Sequence, residues 1–173
     1  MLFRSLDNLV SEMARNNHLN NEIYIHDLDA YILGMHNCLT VPFDDLLANG
    51  FNTRQTDVRP ANSVNTAFQL VAVLFQLQSL QQFGGVSASH LDWTMVPYVR
   101  KSFFKHYQDG CKWCENDATT IIVDPVETSI ESATYKVNPK AYQYALEMTE
   151  KETRQAVEGM YHNLNTLQSR SGN

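Results

Sequence analysis

Residues 24–40 read YIHDLDAYILGMHNCLT and hold the side chains best suited to chemistry. Cys38 is a thiol in an apolar setting, with His36 two positions before it. On a strand those two side chains share a face and Asn37 points the other way. A histidine beside a cysteine can support a thiolate nucleophile, and a thiol can also pass on a hydrogen atom. The plainer reading is a small core residue, because free cysteine is among the most buried residue types. Spacing alone does not choose between them.

Three other groups carry chemical side chains. His26, Asp27 and Asp29 form a polar cluster. Such residues more often cap a turn than hold a metal. Cys111-Lys-Trp-Cys114 is a CxxC pair, the pattern of a redox couple or half a zinc site. There is no second CxxC, and the nearest histidine, His106, lies five residues before Cys111. Half a zinc site is not a site, so no metal is assigned, and the pair reads as incidental cysteines in a loop. Arg100, Lys101 and Lys105 form a basic row in which Lys101 and Lys105 share a helix face. A solvated face is the ordinary reading; a triphosphate clamp is the sharper one.

The elements that must position these groups are mostly helical. Leu2, Leu6, Leu9, Val10 and Met13 recur at helical spacing, and Asn16, Asn17, Asn20 and Asn21 end that helix. Glu22–His26 reads as extended, and Asp27 or Asp29 caps a helical turn that Gly34 stops. Met35–Val41 is the best strand, ended by Pro42; Pro42–Ala48 is a short helix with Gly50 as its stop. Gly50–Pro60, which carries Arg54 and Arg59, reads as a loop.

Asn62 or Ser63 caps the next helix, and Val64–Leu80 is apolar around most of its circumference. That predicts a central or interface position. Gly84-Gly85 ends it, Ser89 or Asp92 opens another helix that Pro97 starts or kinks, and Asp109-Gly110 closes that one. Cys111–Val137 is irregular, with a short β-type run at Thr119–Val123. Asn138-Pro139 starts the last helix, within which Thr149 and Glu152 match a capping box.

Composition sets the limits. The 173 residues, 43% apolar and 18% charged, fit one domain or a piece of a larger one. A formal charge of −6 argues against a protein that coats nucleic acid. Three cysteines are not a disulfide framework, and an odd number of thiols fits a reducing cytoplasm. The chain has neither a signal-peptide pattern nor an apolar run long enough for a membrane span.

Four blocks together carry a resemblance. They are HDLD at 26–29, GMHNCL at 34–39, the long run from Gly50 to Tyr107, and EMTEKETRQAVEGMYHNLNTLQSRSGN at 147–173. They resemble the anaerobic (class III) ribonucleoside-triphosphate reductases, which are glycyl-radical enzymes. The likeness covers most of the chain and is weakest over Cys111–Tyr144. It implies an α/β fold, this chain being a helix-rich part of a ten-stranded α/β barrel, with residues 1–173 as a single partial domain.

The family reduces ribonucleoside triphosphates to deoxyribonucleoside triphosphates, with formate as the usual reductant. An iron–sulfur activase using S-adenosylmethionine places a radical on a glycine. The radical passes to a finger-loop cysteine, which takes the 3′ hydrogen of the ribose. A second cysteine, on the first barrel strand, supplies hydrogen at the 2′ position. By resemblance Cys38 is that second cysteine, and His36 and Asn37 are its substrate-side setting. Deoxynucleotide or ATP effectors bind near a homodimer interface. Asn62, Ser63 and Lys105 are the candidates there by region.

The radical glycine, the finger-loop cysteine, a four-cysteine zinc site and the ATP-cone have no counterpart in the matched blocks. The expectation is therefore a segment that binds no cofactor itself and does not turn over alone. The main alternative is a non-catalytic helical module that keeps the reductase's dimer and effector surface; a CxxC redox or zinc protein ranks last.

Overall fold

The computed structural model describes residues 6–26, 28, 38–53, 56–82, 84–114 and 138–166. The described elements run α1 (Glu12–Leu19), β1 (Leu39–Thr40), α2 (Phe43–Asn49), β2 (Phe51–Asn52) and β3 (Asp57–Val58). They continue with α3 (Val64–Gln81), β4 (Val86–Ser87), α4 (Leu91–Cys114) and α5 (Pro139–Thr166).

Helix α3 is the centre, as its apolar circumference predicts. Val64, Ala67, Phe68, Val71, Ala72 and Leu74 are all buried. They pack with Phe43 and Leu47 of α2, Met95 and Tyr98 of α4, and Ala156 and Met160 of α5. Fully burying each large apolar side chain contributes about 1.5–3 kcal/mol, so this cluster carries much of the fold's stability. A second cluster joins the far half of α4 to the start of α5, through Phe103, Phe104, Tyr107, Cys111, Ala141 and Ala145.

The start of α3 is fastened from two sides. Ser63 is its N-cap, and its hydroxyl accepts the Thr66 N–H. Ser102 of α4 is fully buried, and its hydroxyl accepts the Val64 N–H at 3.0 Å. Both bonds satisfy donors that a helix start leaves without intrahelical partners.

Strands β1 and β4 pair in parallel, with Leu39 opposite Val86 and Thr40 opposite Ser87. The connection between them carries α2, the β2–β3 hairpin and α3. A parallel pair needs such a long crossover. The β2–β3 pair is antiparallel, with Phe51 opposite Val58.

Several sequence expectations change. The helix expected over Leu2–Met13 is interrupted at 9–11, with residues 2–5 outside the described residues: a helical turn at 6–8 ends near Leu9, and Ser11 caps α1, which runs on through Asn16 and Asn17. A new N-cap hydrogen bond, Ala14 N–H to Ser11 Oγ, wins over continued apolar spacing. Gly50–Pro60 is not simply a loop. It holds the β2–β3 hairpin, which Gly50 allows through its φ of +75°; a Cβ there would strike the Val58 carbonyl. Of the strand expected at Met35–Val41, Leu39–Thr40 is described as β1; residues 35–37 lie outside the described residues. Helix α3 ends at a Gln82 cap rather than at the glycines. The match at Thr149 and Glu152 lies inside α5, which runs through it unbroken, as the sequence allowed.

Asp109-Gly110 does not stop α4 either; the helix continues to Cys114. Gly110 is instead where two helices meet. A Cβ on it would lie 3.0 Å from Ala141 Cα and 3.1 Å from Ala141 O. Substituting Gly110→Ala gains about 1 kcal/mol of helix propensity but overpacks a backbone contact at about 1–3 kcal/mol. The expected outcome is a net destabilisation of about 1 kcal/mol, read from urea unfolding. An equal or raised midpoint would show that α5 can shift to make room.

Candidate functional site

Cys38 immediately precedes β1 and is exposed. Its position follows from the pairing of β1 with β4. The Leu39 N–H donates to Gly85 O at 3.0 Å and the Val41 N–H donates to Ser87 O at 2.9 Å. Alternate side chains then fall on opposite faces. Leu39, Val41, Val86 and Ala88 pack against the α3 core. Cys38, Thr40, Gly85 and Ser87 lie on the other face, and all four are exposed.

On that open face the Thr40 and Ser87 hydroxyls are 3.0 Å apart, and Ser87 Oγ also lies 3.3 Å from Leu39 O. Sequence reading missed Thr40, Gly85 and Ser87. The alternation about Cys38 is the available signal for Thr40. The other two are joined to Cys38 only by a pairing that crosses more than forty residues.

The other expected site residues are spread over the frame. His36 and Asn37 lie outside the described residues, as do Asp27, Asp29 and Arg54. Asn62 is exposed, and Ser63 caps α3 with a hydroxyl 3.0 Å from that of Thr66. The Val64 and Thr66 N–H groups at this helix start therefore already have acceptors within the chain. Lys101 donates to Ala61 O at 3.3 Å and lies over the Tyr98 ring. That brings α4 against the residue preceding Asn62. Lys105, one turn on, is exposed.

The CxxC pair is in the last turn of α4, not in a loop. Cys111 is buried and its sulfur accepts from the Asn138 side-chain amide at 3.3 Å. Among the described residues no three His, Cys, Asp or Glu side chains converge as an ion would need. His106, the histidine nearest the pair in sequence, is instead 2.8 Å from Glu152 and ties α4 to α5.

A cleft of about 580 Å³ lies between α2 and α4, lined in part by Asp44, Trp93, Pro97, Tyr98, Arg100 and Lys101. Thr94 donates to Asp44 at 2.5 Å across it. Burial, and then the Asp44 carboxylate, push the Tyr98 phenol above its ordinary value of 10.0. The ring stays neutral at working pH and serves as packing. No described helix is long and apolar enough to cross a membrane.

Comparison with known proteins agrees with the resemblance. The family model described as anaerobic ribonucleoside-triphosphate reductase matches residues 4–173. The protein of that name from Enterobacteria phage T4 is 26% identical over 166 residues, which are 95% of this chain and 24% of the relative. The one from Haemophilus influenzae is 29% identical over 126 residues, 70% of this chain and 18% of the relative. The one from Salmonella typhimurium is 25% identical over 156 residues, 90% of this chain and 19% of the relative. The chain thus spans about a quarter or less of the length of these relatives.

The two described free thiols differ in access. Iodoacetamide applied to the native chain should alkylate Cys38 at least about tenfold faster than Cys111, since access limits thiol reactions. Peptide mass mapping over time reads this; equal rates would contradict the burial of Cys111.

Proposed function

The chain belongs to the anaerobic ribonucleoside-triphosphate reductase family, and on that premise we propose that it is the part of the enzyme that presents Cys38 to the ribose. The observation that carries this reading is the placement of Cys38. It stands on the open face of a parallel strand pair whose other face is packed on the core. A core cysteine would face the other way. Strands β1 and β4 are, on this reading, neighbouring strands of a ten-stranded α/β barrel, with their open face turned to its interior.

The substrate is a ribonucleoside triphosphate. A thiyl radical on a finger-loop cysteine, outside residues 1–173, takes the 3′ hydrogen. The 2′ hydroxyl then takes up a proton and leaves as water as the C2′–O bond breaks, a C2′–H bond forms with hydrogen from Cys38, and the finger-loop thiol returns its hydrogen to C3′. Formate supplies the two electrons and is oxidised to carbon dioxide. A thiol suits this step because sulfur gives up a hydrogen atom readily, whereas a serine O–H bond is too strong. The radical glycine and the activase, with its iron–sulfur centre and S-adenosylmethionine, act on the enzyme from outside this segment. His36 and Asn37, next to Cys38 in sequence, are proposed to flank the substrate.

The second half of the proposal concerns the partner surface. Val73 and Leu80 on α3 are large, apolar and exposed, as are Leu146 and Tyr161 on α5. Apolar side chains of this kind suit a surface covered in the assembled enzyme. We assign the homodimer contact to it, and the deoxynucleotide or ATP effector to the neighbourhood of Asn62, Ser63 and Lys105. This surface is also what favours the alternative of an interaction module without catalysis.

Two measurements on the reductase that carries this segment test these readings. Cys38→Ser, activated anaerobically with formate, is expected to form the glycyl radical normally by electron paramagnetic resonance and yield no detectable deoxynucleotide. Turnover at the parent rate would sink the assignment and leave the interaction module standing. Lys105→Ala is expected to weaken effector binding by about threefold to tenfold, the usual worth of one charge-assisted contact partly open to water. Unchanged effector affinity would remove Lys105 from the site.

A further inference from the structure

The open face that carries Cys38 carries three more groups, and their chemistry can be read together. Gly85 is beside Cys38, one residue before the paired Val86 on the neighbouring strand, as Cys38 is one before Leu39. Paired strands run about 4.8 Å apart, so Gly85 and Cys38 are adjacent on this face. Thr40 and Ser87 are directly opposite one another, two residues further along each strand. That places the hydroxyl pair roughly 6.5–7 Å from the Cys38–Gly85 row.

Nothing in the described chain calls for glycine at position 85. Its φ lies outside the left-handed region that favours glycine, and a Cβ added there meets no described atom within 4 Å. The contrast with Gly50 and Gly110 is direct, since backbone atoms crowd both of those. Among the described residues, this position without a side chain next to the thiol leaves a slot on the face.

The hydroxyl pair has one adjustable proton. If Ser87 donates to Leu39 O, Thr40 donates to Ser87, and the Thr40 oxygen is left to accept. If Ser87 donates to Thr40 instead, the Thr40 O–H is left to donate. The pair can therefore meet either a hydroxyl or a phosphate oxygen. Its distance from the thiol is about that between the far side of a ribose ring and the phosphate on its 5′ oxygen.

We propose that Gly85 and the Thr40–Ser87 hydroxyl pair form the floor for the sugar–phosphate end of the ribonucleoside triphosphate, with the ribose over Gly85 beside Cys38. This rests on the assignment of Cys38 to the substrate. If the thiol faces the ribose, the pleat turns the other three toward the same ligand. All three are substrate-contacting groups, and they read the part of the nucleotide common to all four bases.

The test is equilibrium binding of ribonucleoside triphosphates to the unactivated reductase, which needs no radical. Thr40→Val and Ser87→Ala are each expected to raise the substrate Kd about threefold to tenfold, the range for one lost hydrogen bond. Gly85→Val, which fills the slot, is expected to raise it more than tenfold. The increase should be the same for purine and pyrimidine substrates. Effector affinity should stay at the parent value, and Thr40→Ser and Ser87→Thr should restore substrate binding.

Parent-like substrate binding by Gly85→Val and Thr40→Val would overturn the proposal. So would a base-dependent loss, or a parallel loss of effector binding, which would mark the pair as structural. Should Cys38→Ser abolish turnover while these variants bind normally, only the floor falls. Should Cys38→Ser turn over, the reading of the thiol falls and takes the floor with it.

Discussion

Two backbone hydrogen bonds decide what this segment can do. The Leu39 N–H donates to Gly85 O and the Val41 N–H donates to Ser87 O. Together they fix the register of β1 against β4. Because side chains alternate with a period of two, that register sorts eight residues into two groups. Leu39, Val41, Val86 and Ala88 go to the core, and Cys38, Thr40, Gly85 and Ser87 go to the open face. A slip of one residue would expose the first group and bury the thiol. The apolar cost of exposing Val41, now buried, and three partly buried neighbours opposes such a slip.

The helices exist, in this account, to hold that register. Helix α3 lies under the strand pair and is clamped by α2, α4 and α5. Its start is locked by Ser63 from its own chain segment and by the buried Ser102 of α4. Lys101 adds a bond to Ala61 O on the same approach. Helices α4 and α5 are joined in turn by the close contact at Gly110 and by the His106–Glu152 pair. Among the described residues, the core packing lies on the side of the strand pair away from the thiol.

What the sequence made legible was local. The Ser63 cap, the apolar α3, the short helix after Pro42 and the start of α5 at Asn138-Pro139 each have a signal within a few residues. What it hid was long-range. Gly110 has the look of a helix stop, but the need for close approach to Ala141 decides its type. Cys111 belongs to a helical turn and a core, where Asn138 meets it, although the Asp109-Gly110 stop and the irregular stretch after it suggested a loop. The hairpin at Phe51–Val58 hides in a polar stretch because two-residue strands have no periodicity to detect. The site divides in the same way. Cys38 could be singled out by type and by family likeness, while Gly85 and Ser87 became neighbours only through the parallel pairing.

On the proposed function, the face carrying Cys38 is the one that meets the ribose. The most direct measurement is a crystal structure of the reductase containing this segment with a ribonucleoside triphosphate bound. The expected result is the Cys38 sulfur in van der Waals contact with the 2′ side of the ribose, at about 4 Å. A ribose bound elsewhere, with Cys38 covered by protein side chains instead, would contradict it.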